Sequence, residues 1–232
     1  MSDLSVRRHA VDPARPSARE ALRDAALRVL APAVVLFAAI VGIGMLIMGP
    51  LGGIPAENNL SRSVQRGRTA TWDAVTAVWS HIGNTEIVIG VCVVAVALVW
   101  WRTKQWWFAV VPAIAISVQA TVFVIATAIV GRPRPDVKHL DPAPPTSSYP
   151  SGHMGASTAL YVTFALMAQR IERAWLRRLL TVVFLIVPVL VGYGRLYRGM
   201  HHLSDIIVGL LNGLACAFLA WHWLRRRDAE RR

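Results

Sequence analysis

The stretch from Gly194 to Asp205, GRLYRGMHHLSD, sets arginines, two histidines and an aspartate into a chain that is otherwise largely apolar. Charged groups inside a membrane-spanning segment cost about 2.5 to 3.5 kcal/mol each on insertion scales, so they persist where they pair with one another or with a ligand. On a helix, His201 and Asp205 would lie four residues apart, on one face and one turn from each other. A carboxylate so placed can hold one imidazole nitrogen and leave the other free to attack. His202, three residues before Asp205, meets the same helical condition. The competing structural reading is a histidine and an aspartate that only cap a helix start.

A second polar segment runs from Gly131 to Pro150, GRPRPDVKHLDPAPPTSSYP. Its six prolines exclude regular helix and favour a set, extended path. It leads into PSGH, where Ser151 is a candidate N-cap, Gly152 would let backbone approach an oxyanion, and His153 opens a helix. Exposed N–H groups at such a helix start form an anion site before any arginine is added.

The elements that carry these residues are apolar. The 232-residue chain is 55% hydrophobic with a mean hydropathy of +0.46, values of a membrane protein. A bilayer core of about 30 Å needs roughly 20 apolar residues as helix. Six stretches approach that: Val29 to Leu51, Thr85 to Trp101, Trp106 to Val130, Ser151 to Ala168, Leu179 to Tyr193, and Leu203 to Leu224. The sequence thus predicts an all-α integral membrane protein, a bundle of six transmembrane helices over residues 29–224. A basic cytoplasmic segment, residues 1–28, precedes it and a basic cytoplasmic tail, residues 225–232, comes after it.

Basic residues crowd one side: before the first stretch (Arg7 to Arg28), between the second and third (Arg102, Lys104), between the fourth and fifth (Arg170 to Arg178), and after the sixth (Arg225 to Arg232). The positive-inside rule makes that side cytoplasmic, with both termini inside. Trp100, Trp101, Trp106, Trp107, Trp221 and Trp223 fall beside these residues, as interfacial anchors would. With the charges so placed, the net charge of +12 gives no support to nucleic acid as a partner. The remaining cations, Arg62, Arg66, Arg68, Arg132, Arg134, Lys138, Arg195 and Arg198, fall on the outer side with the histidines, against the inside bias, and an anionic ligand is the simplest reason.

The segment Gly52 to Asn84 predicts a short amphipathic helix with Trp72, Val75, Val78, Trp79 and Ile82 on one face, resting on the bilayer surface or covering the site. His81 and Glu86 read as local hydrogen-bonding or helix-start residues. Cys92 and Cys216 lie inside apolar runs, as small core or lipid-facing residues. The sequence shows no metal-ligand cluster and implies no cofactor.

Three segments occur in order: RPRP at Arg132 to Pro135, PSGH at Pro150 to His153, and Arg195, His201 and Asp205 spaced R-x5-H-x3-D. The set resembles the type 2 phosphatidic acid phosphatase superfamily, which includes lipid phosphate phosphatases, bacterial acid phosphatases and vanadium haloperoxidases. The resemblance implies that Arg134 and Arg195 bind phosphoryl oxygens together with Ser151 and Gly152, with Arg132 as a further candidate. It makes His201 rather than His202 the nucleophile, Asp205 its orienting partner and His153 the general acid. It implies a metal-independent phosphatase acting on the terminal phosphate of a membrane lipid, a polyprenyl diphosphate, phosphatidic acid or phosphatidylglycerol phosphate, through a phosphohistidine. The site would lie at the extracytoplasmic ends of the helices, in a bacterial cytoplasmic membrane. A transferase of the same family and a non-catalytic lipid-phosphate-binding membrane protein are the alternatives.

Two positions depart from the family pattern. Thr127 stands where the first motif has lysine, which removes one phosphate-binding charge, with Arg132 and Lys138 the nearest candidates to replace it. Gly194 stands where the third motif has serine.

Overall fold

The computed structural model describes residues 15–143 and 145–223. Arg7, Arg8, Leu224 and the basic tail at residues 225–232 lie outside the described residues. The regular elements are helices: α1 (Ala18–Met48), α2 (Pro55–Arg66), α3 (Ala70–Ile82), α4 (Thr85–Thr103), α5 (Trp106–Val130), α6 (Gly152–Ala168), α7 (Ala174–Tyr197) and α8 (Leu203–His222).

Local chemistry marks the helix ends. At the start of α1, Ser17 and Glu20 form a reciprocal capping box. At the end of α5, Gly131 takes a left-handed conformation with φ of 63°, which glycine adopts without steric cost, and the proline-rich loop then forbids helix.

Among the described residues, five helices, α1, α4, α5, α7 and α8, are long and apolar enough to cross a membrane. Their outward faces carry large apolar side chains such as Val34, Val93, Leu98, Ile129, Val182 and Val189, all exposed. A continuous apolar exterior of this kind is a lipid-facing surface, and the chain is a multi-pass membrane protein. The stretch expected as a fourth span differs from the other five. α6 has 17 residues and is enclosed by α5, α7 and α8, with Ser157, Thr158 and Thr163 fully buried on it. A helix surrounded by protein needs neither the length nor the uniform apolarity of one facing lipid.

Close backbone crossing seats α6 on α8. A Cβ on Gly213 would come within 2.5 Å of the Gly155 carbonyl oxygen, and one on Gly209 within 2.6 Å of that of Ser151. Small residues four apart are what such a crossing requires. The same approach lets the Ser151 N–H donate to the Asp205 carbonyl at 2.9 Å, joining the start of α6 to the first turn of α8.

The segment before α4 holds two helices where the sequence predicts one. Trp72 and Trp79 of α3 pack edge-on against Tyr193 of α7, while Trp72 and Val78 on the same face remain exposed. The tryptophans of the opposite end also divide. Trp100 and Trp101 are exposed as interfacial anchors would be, whereas Trp107 and Trp223 are buried in the core. Trp223 also donates its indole N–H to the Ala21 carbonyl at 3.2 Å.

Candidate active site

Three separate parts of the chain bring the polar residues to one end of the bundle: the loop between α5 and α6, the turn between α7 and α8, and the α3–α4 corner. His201 lies in the turn before α8 begins, so helical spacing does not relate it to Asp205. Its Nδ1 donates to the backbone carbonyl of Ser148 at 2.7 Å. That bond fixes the proton on Nδ1 and leaves the Nε2 lone pair as the nucleophilic one.

Asp205 is fully buried and serves the loops instead. Its carboxylate accepts from the His202 N–H at 2.8 Å, from Nη1 of Arg132 at 2.6 Å, and from the Ser148 hydroxyl. The expected bond from Asp205 to His201 is therefore replaced by a two-step link through Ser148. With His202 as N-cap and Asp205 as the third helical residue, the pair forms a reciprocal capping box. The structural reading thus holds for His202 and not for His201.

Arg132 is likewise committed. It is 2% exposed and bridges Asp205 and Glu57, the second at 2.8 Å, while also donating to the Gly53 carbonyl and the Ser204 hydroxyl. Both terminal nitrogens of this guanidinium are therefore spent on protein partners, which sets Arg132 apart from Arg134 and Arg195. Its partner Glu57 also accepts from the Ser204 N–H at 2.6 Å, satisfying a first-turn donor of α8.

Arg134 and Arg195 flank His201 closely enough that their charges act on it. Burial, then Arg195 and Arg134, hold the His201 imidazole well below the ordinary histidine value. Arg134 donates to the Met200 carbonyl at 2.7 Å, and its buried Nε has no protein partner. Arg195 donates from Nη1 to Ser80 and Asp141, and its Nε too is buried without a partner. Both arginines are thus held from one side and keep donors unspent.

His153, on the first turn of α6, bonds through Nε2 to the Asn84 side-chain oxygen at 3.0 Å. The amide nitrogen of Asn84 faces His81 Nδ1 at 3.0 Å, an arrangement that makes Nε2 of His153 the donor and leaves its Nδ1 free. Ser151 is the N-cap of α6, as expected. Gly152 is also required by packing, since a Cβ there would come within 2.8 Å of the Phe123 ring. In place of the family lysine, Thr127 is buried and donates its hydroxyl to the Ser147 carbonyl at 3.4 Å, tying the last turn of α5 to the loop. Lys138 is exposed on that loop. Among the described residues, no group of three or more His, Cys, Asp or Glu side chains is arranged to hold a metal ion.

His153 and Arg195 line a cleft of about 720 Å³ that opens between α3, the start of α4 and the Asp141 loop. Ser148, Asn84, Asp141 and Glu57, which shape this end of the molecule, carry no sequence signal, because each meets its partner from a segment remote in the chain.

The PAP2 superfamily profile matches residues 106–229, more than half of the chain. The chain belongs to the PAP2 superfamily. The match spans α5 to α8 and so contains all three motifs, while α1 to α4 lie before it. No curated protein matches this PAP2 chain. Among solved structures it is similar to the first transmembrane PAP2 type phosphatidylglycerolphosphate phosphatase from Bacillus subtilis, at 21% identity and a TM-score of 0.71, over 82% of this chain and 94% of that one. It is also similar to LpxE from Aquifex aeolicus, at 23% identity and a TM-score of 0.55, over 70% of this chain and 93% of that one. At these identities the likeness is one of fold, and it covers most of the bundle.

Proposed function

We propose that the protein is a membrane phosphatase that removes the terminal phosphate of a lipid phosphate without a metal ion, by way of a phosphohistidine. The observation that carries this reading is the His201 imidazole, with Nδ1 spent on the Ser148 carbonyl and Nε2 free, within the influence of Arg134, Arg195 and His153, the last two of which line the cleft. Phosphoryl transfer asks a protein chiefly for positioning and for fixed positive charge around the equatorial oxygens. The unspent donors of Arg134 and Arg195 and the first N–H groups of α6 supply that charge.

In this mechanism Nε2 of His201 attacks phosphorus, and the bond from phosphorus to the leaving oxygen breaks. His153 enters as the imidazolium, its Nε2–H on Asn84 and a second proton on Nδ1; it gives that second proton to the leaving oxygen and then, as a base, recovers one from the water that hydrolyses the phosphohistidine. Free phosphate and the neutral His201 imidazole are restored. Asp205 contributes through Ser148 and the turn rather than by touching His201. The polar end faces outside a bacterial cytoplasmic membrane, with both termini in the cytoplasm and α6 as an enclosed sixth span. The basic residues at the opposite ends of the helices support that orientation.

The test is phosphate release from detergent-solubilised phosphatidic acid, phosphatidylglycerol phosphate and polyprenyl phosphates in excess EDTA. Wild type is expected to release phosphate, His201→Ala to lose about a thousandfold or more, and His202→Ala to retain turnover. Equal turnover by folded His201→Ala would overturn the assignment. Phosphate delivered to an added alcohol in preference to water would make the protein a transferase.

A further inference from the structure

The cleft beside His153 bears on which phosphates the site accepts, a selectivity that rests on the phosphatase reading. His201 is buried and His153, the proposed proton donor to the leaving oxygen, lines the cleft, so the group that His153 protonates departs beside the cleft walls. Its walls therefore meet the part of the substrate that departs.

Those walls are not basic. Arg195 is the one arginine or lysine that lines the cleft among the described residues; it is 3% exposed, and its Nε lacks a protein partner. Asp141 accepts from Arg195 Nη1 at 2.8 Å and from Arg198 at 2.7 Å, so a carboxylate of the protein already holds the one arginine that lines the cleft. Glu86, exposed on the first turn of α4, adds a second carboxylate, and Val78 supplies apolar wall. His81, on the rim, shares its Nδ1 with Asn84.

We propose that this cleft is a leaving-group subsite for an uncharged alcohol, so that the substrates are lipid phosphomonoesters and lipid diphosphates are disfavoured. With a monoester, the departing alkoxide takes the His153 proton and leaves as a neutral alcohol. With a diphosphate, the departing group is itself a phosphate monoester that keeps negative charge beside Asp141 and Glu86. It would meet no cation that Asp141 does not already hold. Like charges facing each other across a binding surface are a standard means of rejecting one ligand while accepting its neighbour.

The experiment compares initial rates on two matched pairs in detergent micelles with the full chain: farnesyl phosphate against farnesyl diphosphate, and phosphatidic acid against diacylglycerol diphosphate. Wild type is expected to favour the monoester in kcat/KM by about tenfold or more in both pairs. Glu86→Lys is expected to narrow that preference at least threefold by raising turnover of the diphosphates, a gain that a misfolded variant cannot produce. Equal or faster hydrolysis of diphosphates by wild type, or an unchanged ratio in Glu86→Lys, would overturn the proposal and leave the phosphatase reading standing. Failure of the folded protein to hydrolyse either member of either pair would overturn both.

Discussion

The Nδ1–H of His201 donates to the Ser148 carbonyl at 2.7 Å, and the hydroxyl of that same serine donates to Asp205. One residue of the α5–α6 loop therefore carries the influence of the buried carboxylate to the imidazole. Asp205 acts on the geometry of two loops at once, while His201 contributes little to holding them.

The two positions should consequently separate under mutation. Asp205→Ala leaves Arg132 buried with one of its two carboxylates gone, a loss that typically costs about 3–5 kcal/mol, so the melting temperature in detergent should fall together with activity. His201→Ala should abolish turnover with a much smaller shift in melting temperature. Thermal scans of both variants beside phosphate release would check this, and a stable but inactive Asp205→Ala would contradict it.

Glu57 is expected to be as important for stability as any residue of the three motifs. It sits on α2, yet it bonds Arg132, the Ser204 N–H and the Ser204 hydroxyl. Glu57→Ala should destabilise by about 3–5 kcal/mol, since it strands a buried guanidinium and a first-turn N–H of α8. Glu57→Gln, which keeps hydrogen bonding and loses the charge, should fall between Glu57→Ala and wild type on the same thermal scan.

Asn84 should act through His153. Removing its side chain in Asn84→Ala frees Nε2 of His153 and lets the ring turn, and kcat should fall about tenfold with a smaller change in KM. Asn84→Asp keeps an oxygen at that position and should retain more turnover than the alanine variant. A purely structural role would lower the melting temperature in Asn84→Ala and leave kcat of the surviving enzyme unchanged.

Stability should fall with acid in a window set by His201. Its folded value is held well below 6.5 by burial and by Arg195 and Arg134, while the unfolded chain takes a proton near 6.5. Below that pH the unfolded state binds a proton that the folded state does not. Folding then loses about 1.4 kcal/mol per pH unit until the folded value is reached; above pH 6.5 this group contributes no pH dependence. The melting temperature should decline less steeply between pH 6.5 and 5 in His201→Gln than in wild type.

Much of this organisation is legible in the sequence, and the reasons are local. Apolar runs of sufficient length, interrupted by proline, glycine and basic residues, mark α1, α4, α5, α7 and α8, because a bilayer constrains each spanning segment separately. Arg134, Ser151, His153, Arg195 and His201 stand out because charged and nucleophilic side chains are rare in such surroundings. Their order along the chain carries the resemblance to the PAP2 superfamily. What local pattern does not supply is the pairing of groups that only folding brings together. Helical spacing pairs Asp205 with His201, but His201 precedes the helix, and the Ser148 carbonyl takes the place. Arg132 is a candidate for the phosphate by its type, and only the arrival of Glu57 from α2 reveals that its charge is already spent. The residues that line the cleft come from α3, the start of α4, the Asp141 loop, α6 and α7, so their common surface exists only once the helices have packed. The residue types that can do this chemistry were thus determined by the sequence, and which of them meet was decided by close crossing of the helices at Gly155, Gly209 and Gly213.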